Sequence, residues 1–156
     1  MKKKIYAFAF ALFALNASAQ EFLYEKVVSE IQTAYPQVAT KDKLIAINFW
    51  SVSDANSREA NKSFDNVAKT YEVAKLRGGV KGVVVVAINM DDKESEAAIT
   101  FNKDVNSTKI IRFSKSDFAG LKESGKNIVY DSDGSRVYVN LEPQSVFSSF
   151  NQLITR

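Results

Sequence analysis

The sequence contains no cysteine and no histidine among its 156 residues. Without cysteine the chain has no thiolate nucleophile, no disulfide and no thiolate metal ligand. Without histidine it lacks the commonest general base and the commonest metal-binding side chain, and a Ser-His-Asp triad is excluded. Carboxylates, Lys, Tyr and Ser remain, so thiol–disulfide exchange is the chemistry that the composition excludes most firmly.

The first residues have the pattern of a cleavable secretory signal. Three lysines at positions 2–4 precede the apolar run Ile5–Leu15, and Ala17-Ser18-Ala19 forms an A-x-A cleavage site. The alternative, a membrane anchor, is disfavoured because a spanning helix needs about 20 apolar residues. We expect cleavage after Ala19, which divides the chain into a signal peptide (1–19) and a single periplasmic or secreted domain (20–156).

Net charge gives no indication of a nucleic-acid or anionic-membrane partner. The whole chain carries 21 basic and 18 acidic residues, a formal charge of +3. All three excess positive charges belong to the expected signal, so the mature domain is formally neutral. We expect no nucleic-acid binding and no stable membrane insertion after the signal is cleaved.

Hydrophobic periodicity predicts alternating helices and strands. Leu44–Trp50 and Gly82–Met90 are nearly all apolar, which is typical of strands buried on both faces. Asn127–Tyr130 and Arg136–Val139 flank a Gly-containing turn, which predicts a β-hairpin. The order predicts an α/β domain with a central mixed sheet, helices on both faces and an extra N-terminal helix. The other predicted elements are a strand at Ile110–Phe113 and helices at Glu21–Tyr35, Arg58–Leu76, Glu94–Asn102 and Pro143–Ile154.

The strand end Asn48-Phe49-Trp50, with the polar loop and helix that follow, carries a specific resemblance. It resembles the start of thioredoxin-like domains in bacterial envelope thiol–disulfide proteins of the TlpA/ResA type. The resemblance implies a thioredoxin-like fold and places the family's Cys-x-x-Cys pair at Asp54 and Ser57. It places the family's cis-proline in Ser124-Gly125-Lys126-Asn127, which contains no proline. Without these elements the protein is expected to be redox-inactive, with a reshaped peptide groove.

The loop that replaces the redox-active loop is the candidate for partner binding. The alternative is helix capping alone, because Asn56 with Glu59 fits a capping box, while Asp54 and Ser57 are also suitable caps. The proposed groove would be completed by the loop equivalent to the cis-proline loop. The candidate residues are Trp50, Ser53, Asp54, Asn56 and Ser57 on one side, and Gly125, Lys126 and Asn127 on the other.

Trp50 allows two interpretations. The resemblance puts it beside the reactive pair, where a half-exposed tryptophan would anchor an extended partner. It also ends an apolar strand, where an aromatic side chain commonly belongs to the core. The sequence leaves both interpretations open.

Two acidic clusters have the composition of a cation site but fit local structure better. Asp91-Asp92 with Glu94 and Glu96 suits the first turn of a helix. Asp131-x-Asp133-Gly134 suits a hairpin turn and lacks the remaining ligands of a calcium loop. We therefore expect no metal and no cofactor.

These features predict a non-enzymatic protein that binds an envelope protein or peptide without bond exchange. One alternative is a non-redox enzyme in which Ser53 or Ser57 activates a bound thiol, as hydroxyl groups do in glutathione transferases. That activity usually needs the missing cis-proline edge and a second helical domain, for which the chain has no room. The other alternative is a purely structural subunit of an envelope complex, which the sequence does not separate from a binding protein.

Overall fold

The computed structural model describes residues 23–118, 120–121 and 126–154. The expected signal (1–19) and Gly125 lie outside the described residues. The strands are β1 (Leu44–Trp50), β2 (Val83–Asn89), β3 (Ile110–Ser114), β4 (Asn127–Tyr130) and β5 (Arg136–Val139). They form one sheet in the order β3-β2-β1-β4-β5. β1, β2 and β3 run parallel, and the pairings of β4 with β1 and β5 are antiparallel.

Helices cover both faces of this mixed sheet. Helix α1 spans residues 23–34, and the others are α2 (Ala55–Tyr71), α3 (Glu94–Asp104) and α4 (Pro143–Asn151). Helices α2, α3 and α4 pack on one face around a core that includes Trp50, whereas α1 packs on the other face. The predicted α/β class and mixed sheet are therefore confirmed.

Strands β1 and β2 form the centre of the sheet. Every residue of both strands is buried, and they pair in parallel from Leu44–Val83 to Trp50–Asn89. Parallel strands covered by helices have no solvent-facing side, which explains why their sequences are apolar throughout rather than alternating. The prediction of two central buried strands is confirmed, and the bounds of β1 match the prediction.

Helix α2 begins and ends earlier than the periodicity indicates. Predicted at Arg58–Leu76, it spans Ala55–Tyr71. Its start is set by Asp54, the N-cap residue, whose side chain accepts a hydrogen bond from the backbone N–H of Asn56. The capping chemistry was anticipated, but the apolar pattern alone placed the first turn too late.

The segment after α2 leaves the helix because it pairs elsewhere. Lys75 forms an antiparallel bridge with Lys81, and Leu76 forms one with Ile154. The second bridge also explains why α4 ends at Asn151 instead of continuing to Ile154. The other predicted elements agree with the structure to within two residues at the described ends. None of the described helices is long and apolar enough to cross a lipid bilayer.

Candidate functional site

We define the corner as the loop Ser51–Asp54 together with the first turn of α2. It lies where the thioredoxin-like proteins that the sequence resembles have their redox-active loop. Asp54 has extended backbone angles, and its Oδ1 accepts a hydrogen bond of 3.0 Å from the N–H of Asn56. Its exposed carboxylate therefore lies at the positive end of the α2 dipole. Of the possible caps, the structure selects Asp54.

The capping box that Asn56 and Glu59 would form is absent from the described residues. Glu59 instead pairs with Lys62, with 2.9 Å between Oε2 and Nζ. The reason is the position of the helix start, since Asn56 is already inside α2 and its side chain is not at the N-cap.

Ser57, at the second position of the expected cysteine pair, is tied into the scaffold. It is only 7% exposed. Its Oγ donates to the carbonyl of Asp54 at 3.0 Å and accepts from the N–H of Ser51 at 3.3 Å. The hydroxyl is thus used to hold the loop against the helix.

Trp50 is a core residue. It is 4% exposed, and its ring lies 5.5 Å from that of Phe101 on α3. The strand alternation sends Trp50 to the same core as Ala46, beneath the helices, and not to the surface of the corner. The interpretation of Trp50 as a half-exposed anchor is therefore wrong, although its place at the end of β1 was predicted correctly.

Two buried asparagines beneath the corner were not identified from the sequence. Asn48 and Asn61 are each 1% exposed. Asn48 Nδ2 donates to the carbonyl of Ser57 at 3.0 Å and to Asn61 Oδ1 at 2.8 Å. These bonds connect β1 with α2. The signal in the sequence was a single amide residue within an otherwise apolar strand.

The loop facing the corner is also fixed by hydrogen bonds. The carbonyl of Lys126 accepts from the N–H of Phe49 at 3.0 Å. Asn127 is buried, its Nδ2 donates to the carbonyl of Leu141 at 2.9 Å, and its Oδ1 accepts from the N–H of Leu141 at 2.8 Å. The peptide bond between Lys126 and Asn127 is trans, since none of the peptide bonds recorded for the described residues is cis.

Three side chains join the two loops and form what we call the corner clasp: Asn56, Lys126 and Glu142. Glu142 Oε1 lies 2.6 Å from Lys126 Nζ, and Glu142 Oε2 accepts from Asn56 Nδ2 at 3.3 Å. The hydrogen bond from Lys126, followed by that from Asn56, lowers the pKa of Glu142 below its ordinary value. The cleft under the clasp has a volume of only about 10 Å³. The clasp side of the corner is therefore closed and polar, whereas Val52 and Ser53 of the same corner border a separate hollow of about 330 Å³.

Glu142 was missed from the sequence. It precedes Pro143 at the start of α4, but it lies 86 positions from Asn56 along the chain. No short motif connects residues at that separation, so only the folded chain brings them together.

The first acidic cluster agrees with its prediction only in part, because Glu94 and Glu96 lie in the first turn of α3 but Asp91 and Asp92 precede its N-cap residue, Lys93. Asp91 Oδ2 accepts from the N–H of Val52 and from Asn89 Nδ2, each at 2.8 Å. Asp131 and Asp133 hold backbone N–H groups of the hairpin turn. Within residues 23–118, 120–121 and 126–154, no group of three acidic side chains is arranged to hold a metal ion.

Solved structures similar to this one are thioredoxin-like proteins. A thioredoxin-like protein from Parabacteroides distasonis has a TM-score of 0.51 and 21% identity, covering 70% of this chain and 80% of its own. The thioredoxin domain of a thiol-disulfide oxidoreductase from Bacteroides vulgatus has a TM-score of 0.53 and 14% identity, covering 74% and 82%. A thiol:disulfide interchange protein from Bacteroides sp. has a TM-score of 0.51 and 18% identity, covering 74% and 75%. No protein-family model and no curated protein matches the sequence.

These similarities are at identities that establish a fold and not an activity. The sheet, the helices on both faces and the strand–loop–helix corner agree with the fold that the resemblance implied. By fold, this chain is therefore a thioredoxin-like domain, and it has Asp54 and Ser57 where the resemblance places the reactive cysteines.

Proposed function

We propose that this protein is an exported, redox-inactive thioredoxin-like protein that binds a protein or peptide partner of the cell envelope through its corner. The observation that carries the proposal is the exposed polar surface of Asp54 and the corner clasp, held at the position of the reactive pair. Recognition there would involve surface contact without any exchange of bonds, because the chain has no sulfur nucleophile.

The rigidity of the corner supports a role in recognition. Arg58, in the first turns of α2, binds Asp104 at the end of α3 through two hydrogen bonds of 2.7 and 3.0 Å. The hydrogen bond from Arg58 lowers the pKa of Asp104, so this carboxylate stays ionised around neutral pH. A surface that is fixed before binding loses less conformational entropy when a partner arrives.

The shape of the corner favours a macromolecular partner over a small substrate. Small-molecule sites are usually concave and have volumes of about 300 to 1,000 Å³. The cleft under the clasp has only about 10 Å³, and the hollow beside Val52 and Ser53, with about 330 Å³, is at the lower end of that range. Ser53, Asp54 and Asn56 are exposed on one side, and Lys126 is exposed on the other. These side chains offer donors and acceptors to a partner that lies across the clasp.

The bonding of Ser57 weighs against the transferase-like alternative. A serine that activates a substrate thiol must direct its hydroxyl to the substrate, but Ser57 already donates to Asp54 and accepts from Ser51. This argument does not apply to Ser53, which is exposed, forms no side-chain hydrogen bond with a described residue and borders a hollow of about 330 Å³. Ser53 therefore remains the hydroxyl that the transferase-like alternative would use.

Affinity capture from an envelope extract tests the proposal. The bait is the protein produced from the full-length chain and purified after export, compared with an Asn56→Arg/Lys126→Glu variant. The matched control, Gln37→Arg/Lys41→Glu, makes the same kinds of charge change at exposed positions in the segment before β1, outside the corner. We expect a partner that the wild type and the control retain and the corner variant loses. A partner kept by all three baits would contradict corner binding and indicate a structural subunit.

Export is tested by the mass of the purified protein. Removal of residues 1–19 predicts a chain that starts at Gln20 and is found in the periplasm or the medium. An intact chain confined to the cytoplasm would contradict the proposed location.

A further inference from the structure

A second concave surface lies where the three parallel strands end. We call it the strand-end crevice. It has a volume of about 360 Å³ and is bordered by the last residues of β1, β2 and β3, namely Trp50, Asn89 and Ser114. The space outside the carboxyl ends of parallel strands is a common position for ligands in α/β folds.

Aromatic rings form much of the wall of the strand-end crevice. They come from Tyr35, Trp50, Phe101 and Phe113. Tyr35 packs edge-on against Phe113 at 5.8 Å, and Trp50 lies 5.5 Å from Phe101. Aromatic faces attract the apolar stem of a ligand and also attract positive charge.

Two exposed carboxylates border the same crevice, and Ser114 links them. Ser114 Oγ lies 3.0 Å from Glu94 Oε1 and 3.2 Å from Asp117 Oδ2. Ser116 Oγ also lies 3.0 Å from Glu94 Oε1. Among the described residues, neither carboxylate forms an ion pair, although six other ion pairs are present there. The crevice thus combines aromatic walls with two carboxylates that form no ion pair among the described residues, although the guanidinium of Arg112 also borders it.

The crevice adjoins a groove. A second hollow of about 390 Å³ shares Tyr35, Phe101 and Arg112 with it and passes beside β3, an edge strand of the sheet. Arg112, which borders both hollows, already has partners within the fold. Its guanidinium lies 5.4 Å from the centre of the Phe101 ring, and its Nη1 donates a hydrogen bond to Asn102 Oδ1 at 2.9 Å. An elongated, open groove fits an extended chain better than a compact molecule.

We propose that the strand-end crevice binds a lysine or arginine side chain of an extended partner segment. The stem of that side chain lies along Tyr35, which is the least buried aromatic residue of the crevice wall, and its cationic group meets Glu94 and Asp117. The remainder of the segment follows the groove beside β3. This inference is independent of the corner, since no residue of the corner clasp borders either hollow.

The single tryptophan of the chain borders the crevice and serves as the reporter. The probes are two capped pentapeptides, Gly-Val-Lys-Val-Gly and the same peptide with norleucine in place of lysine. Norleucine has a stem of similar length without the charge. We expect the lysine peptide to change the fluorescence of Trp50 and to bind about tenfold more tightly than the norleucine peptide, a factor that two exposed ion pairs can supply together.

Three variants locate the binding. Glu94→Gln and Asp117→Asn remove the two charges while keeping hydrogen-bond acceptors for Ser114, and Glu96→Gln is the control because Glu96 is on the same helix but does not border the crevice. Each of the first two should weaken lysine-peptide binding severalfold, and together by about tenfold. The control should bind like the wild type, and unchanged thermal unfolding midpoints should show that all variants fold.

The proposal is overturned if both peptides bind equally, if neither binds, or if the double variant binds like the wild type. Butylammonium is the final probe. If it binds as tightly as the lysine peptide, the ligand is a small amine and the groove beside β3 contributes nothing. None of these results bears on capture through the corner, so the two proposals fail separately.

Discussion

The corner and the strand-end crevice lie at the same end of the sheet but differ in volume, polarity and charge balance. The corner is polar, its cleft has about 10 Å³, and Lys126 neutralises Glu142 within the clasp. The crevice is aromatic, has about 360 Å³, and retains the negative charges of Glu94 and Asp117. Strand β1 contributes to both surfaces. Its last residue, Trp50, packs in the core and borders the crevice, and the loop that follows Trp50 forms part of the corner.

The two surfaces differ in how far their polar side chains are already paired within the fold. In the corner, each side chain that replaces a reactive group has found a partner within the fold, as Ser57 has with Asp54 and Ser51. In the crevice, the carboxylates are held only by hydroxyl and backbone N–H donors of the described residues. The corner is therefore suited to contact across a surface, and the crevice to insertion of a side chain.

The largest expected change comes from restoring sulfur to the corner. In Asp54→Cys/Ser57→Cys, the first thiol would be exposed at the N-terminus of α2 and the second buried, since Asp54 is exposed and Ser57 is 7% exposed. A helix N-terminus lowers the pKa of a thiol and favours the reactive thiolate. We expect a closed intramolecular disulfide after mild oxidation, measured by the disappearance of both free thiols.

The matched control for this variant is Ser53→Cys/Asn56→Cys, which has the same spacing shifted by one residue. It should close less readily because the shifted pair does not combine the cap position with the buried position. Disulfide-linked dimers from the first variant, with no closed monomer, would show that positions 54 and 57 do not reproduce the geometry of a reactive pair.

Truncation of Trp50 is expected to have the next largest effect. Because Trp50 is buried against Phe101, Trp50→Ala should lower the free energy of unfolding by about 3–5 kcal/mol. Urea unfolding followed by circular dichroism measures the change without relying on the lost indole. A loss of unfolding free energy below about 1 kcal/mol is typical of exposed positions and would contradict the burial of Trp50.

Removal of the helix cap should have a smaller effect. Asp54→Ala deletes the hydrogen bond to the N–H of Asn56 and should cost about 0.5–2 kcal/mol of stability. Asp54→Asn keeps an N-cap of similar strength and should change stability little. Equal losses in the two variants would mean that the charge at the helix end, and not the cap, is what stabilises the corner.

The smallest predicted effect is the pH dependence of the corner clasp. Lys126 and Asn56 lower the folded-state pKa of Glu142 below its ordinary value. Stability from this pair is therefore fully present above the unfolded-state pKa and is lost as the pH falls through the lower folded-state pKa. The unfolding midpoint of Glu142→Gln should lie slightly below that of the wild type at neutral pH and converge with it in acid. A difference that persists in strong acid would exclude the ion pair as its cause.

The sequence predicted the parts of the fold that depend on local pattern. The bounds of β1, β4 and β5 were predicted correctly because continuous apolar runs and a Gly-containing hairpin turn leave little freedom of register. The bounds of α2 were predicted less well. Its first turn, Ala55–Ser57, is polar and was assigned to the loop, although Asp54 is a strong N-cap residue.

The sequence predicted where the candidate site lies in the fold, but not which of its side chains are exposed or which contacts they make. The resemblance located the corner, but the exposure of Trp50 depends on the packing of α3 over the end of β1, which no local pattern records. The contact of Glu142 with Asn56 and Lys126 and the linking of Glu94 to Asp117 through Ser114 depend on long-range geometry. Both surfaces therefore needed the folded chain before their chemistry could be stated.

The most direct measurement is capture from envelope extract with four baits: wild type, the corner variant Asn56→Arg/Lys126→Glu, the control Gln37→Arg/Lys41→Glu and the crevice variant Glu94→Gln/Asp117→Asn. We expect a partner that is retained by the wild type and the control and lost by the corner variant. Loss from the crevice variant as well would mean that the same partner uses both surfaces. Retention of every partner by the corner variant would contradict the central claim that the corner is a recognition surface.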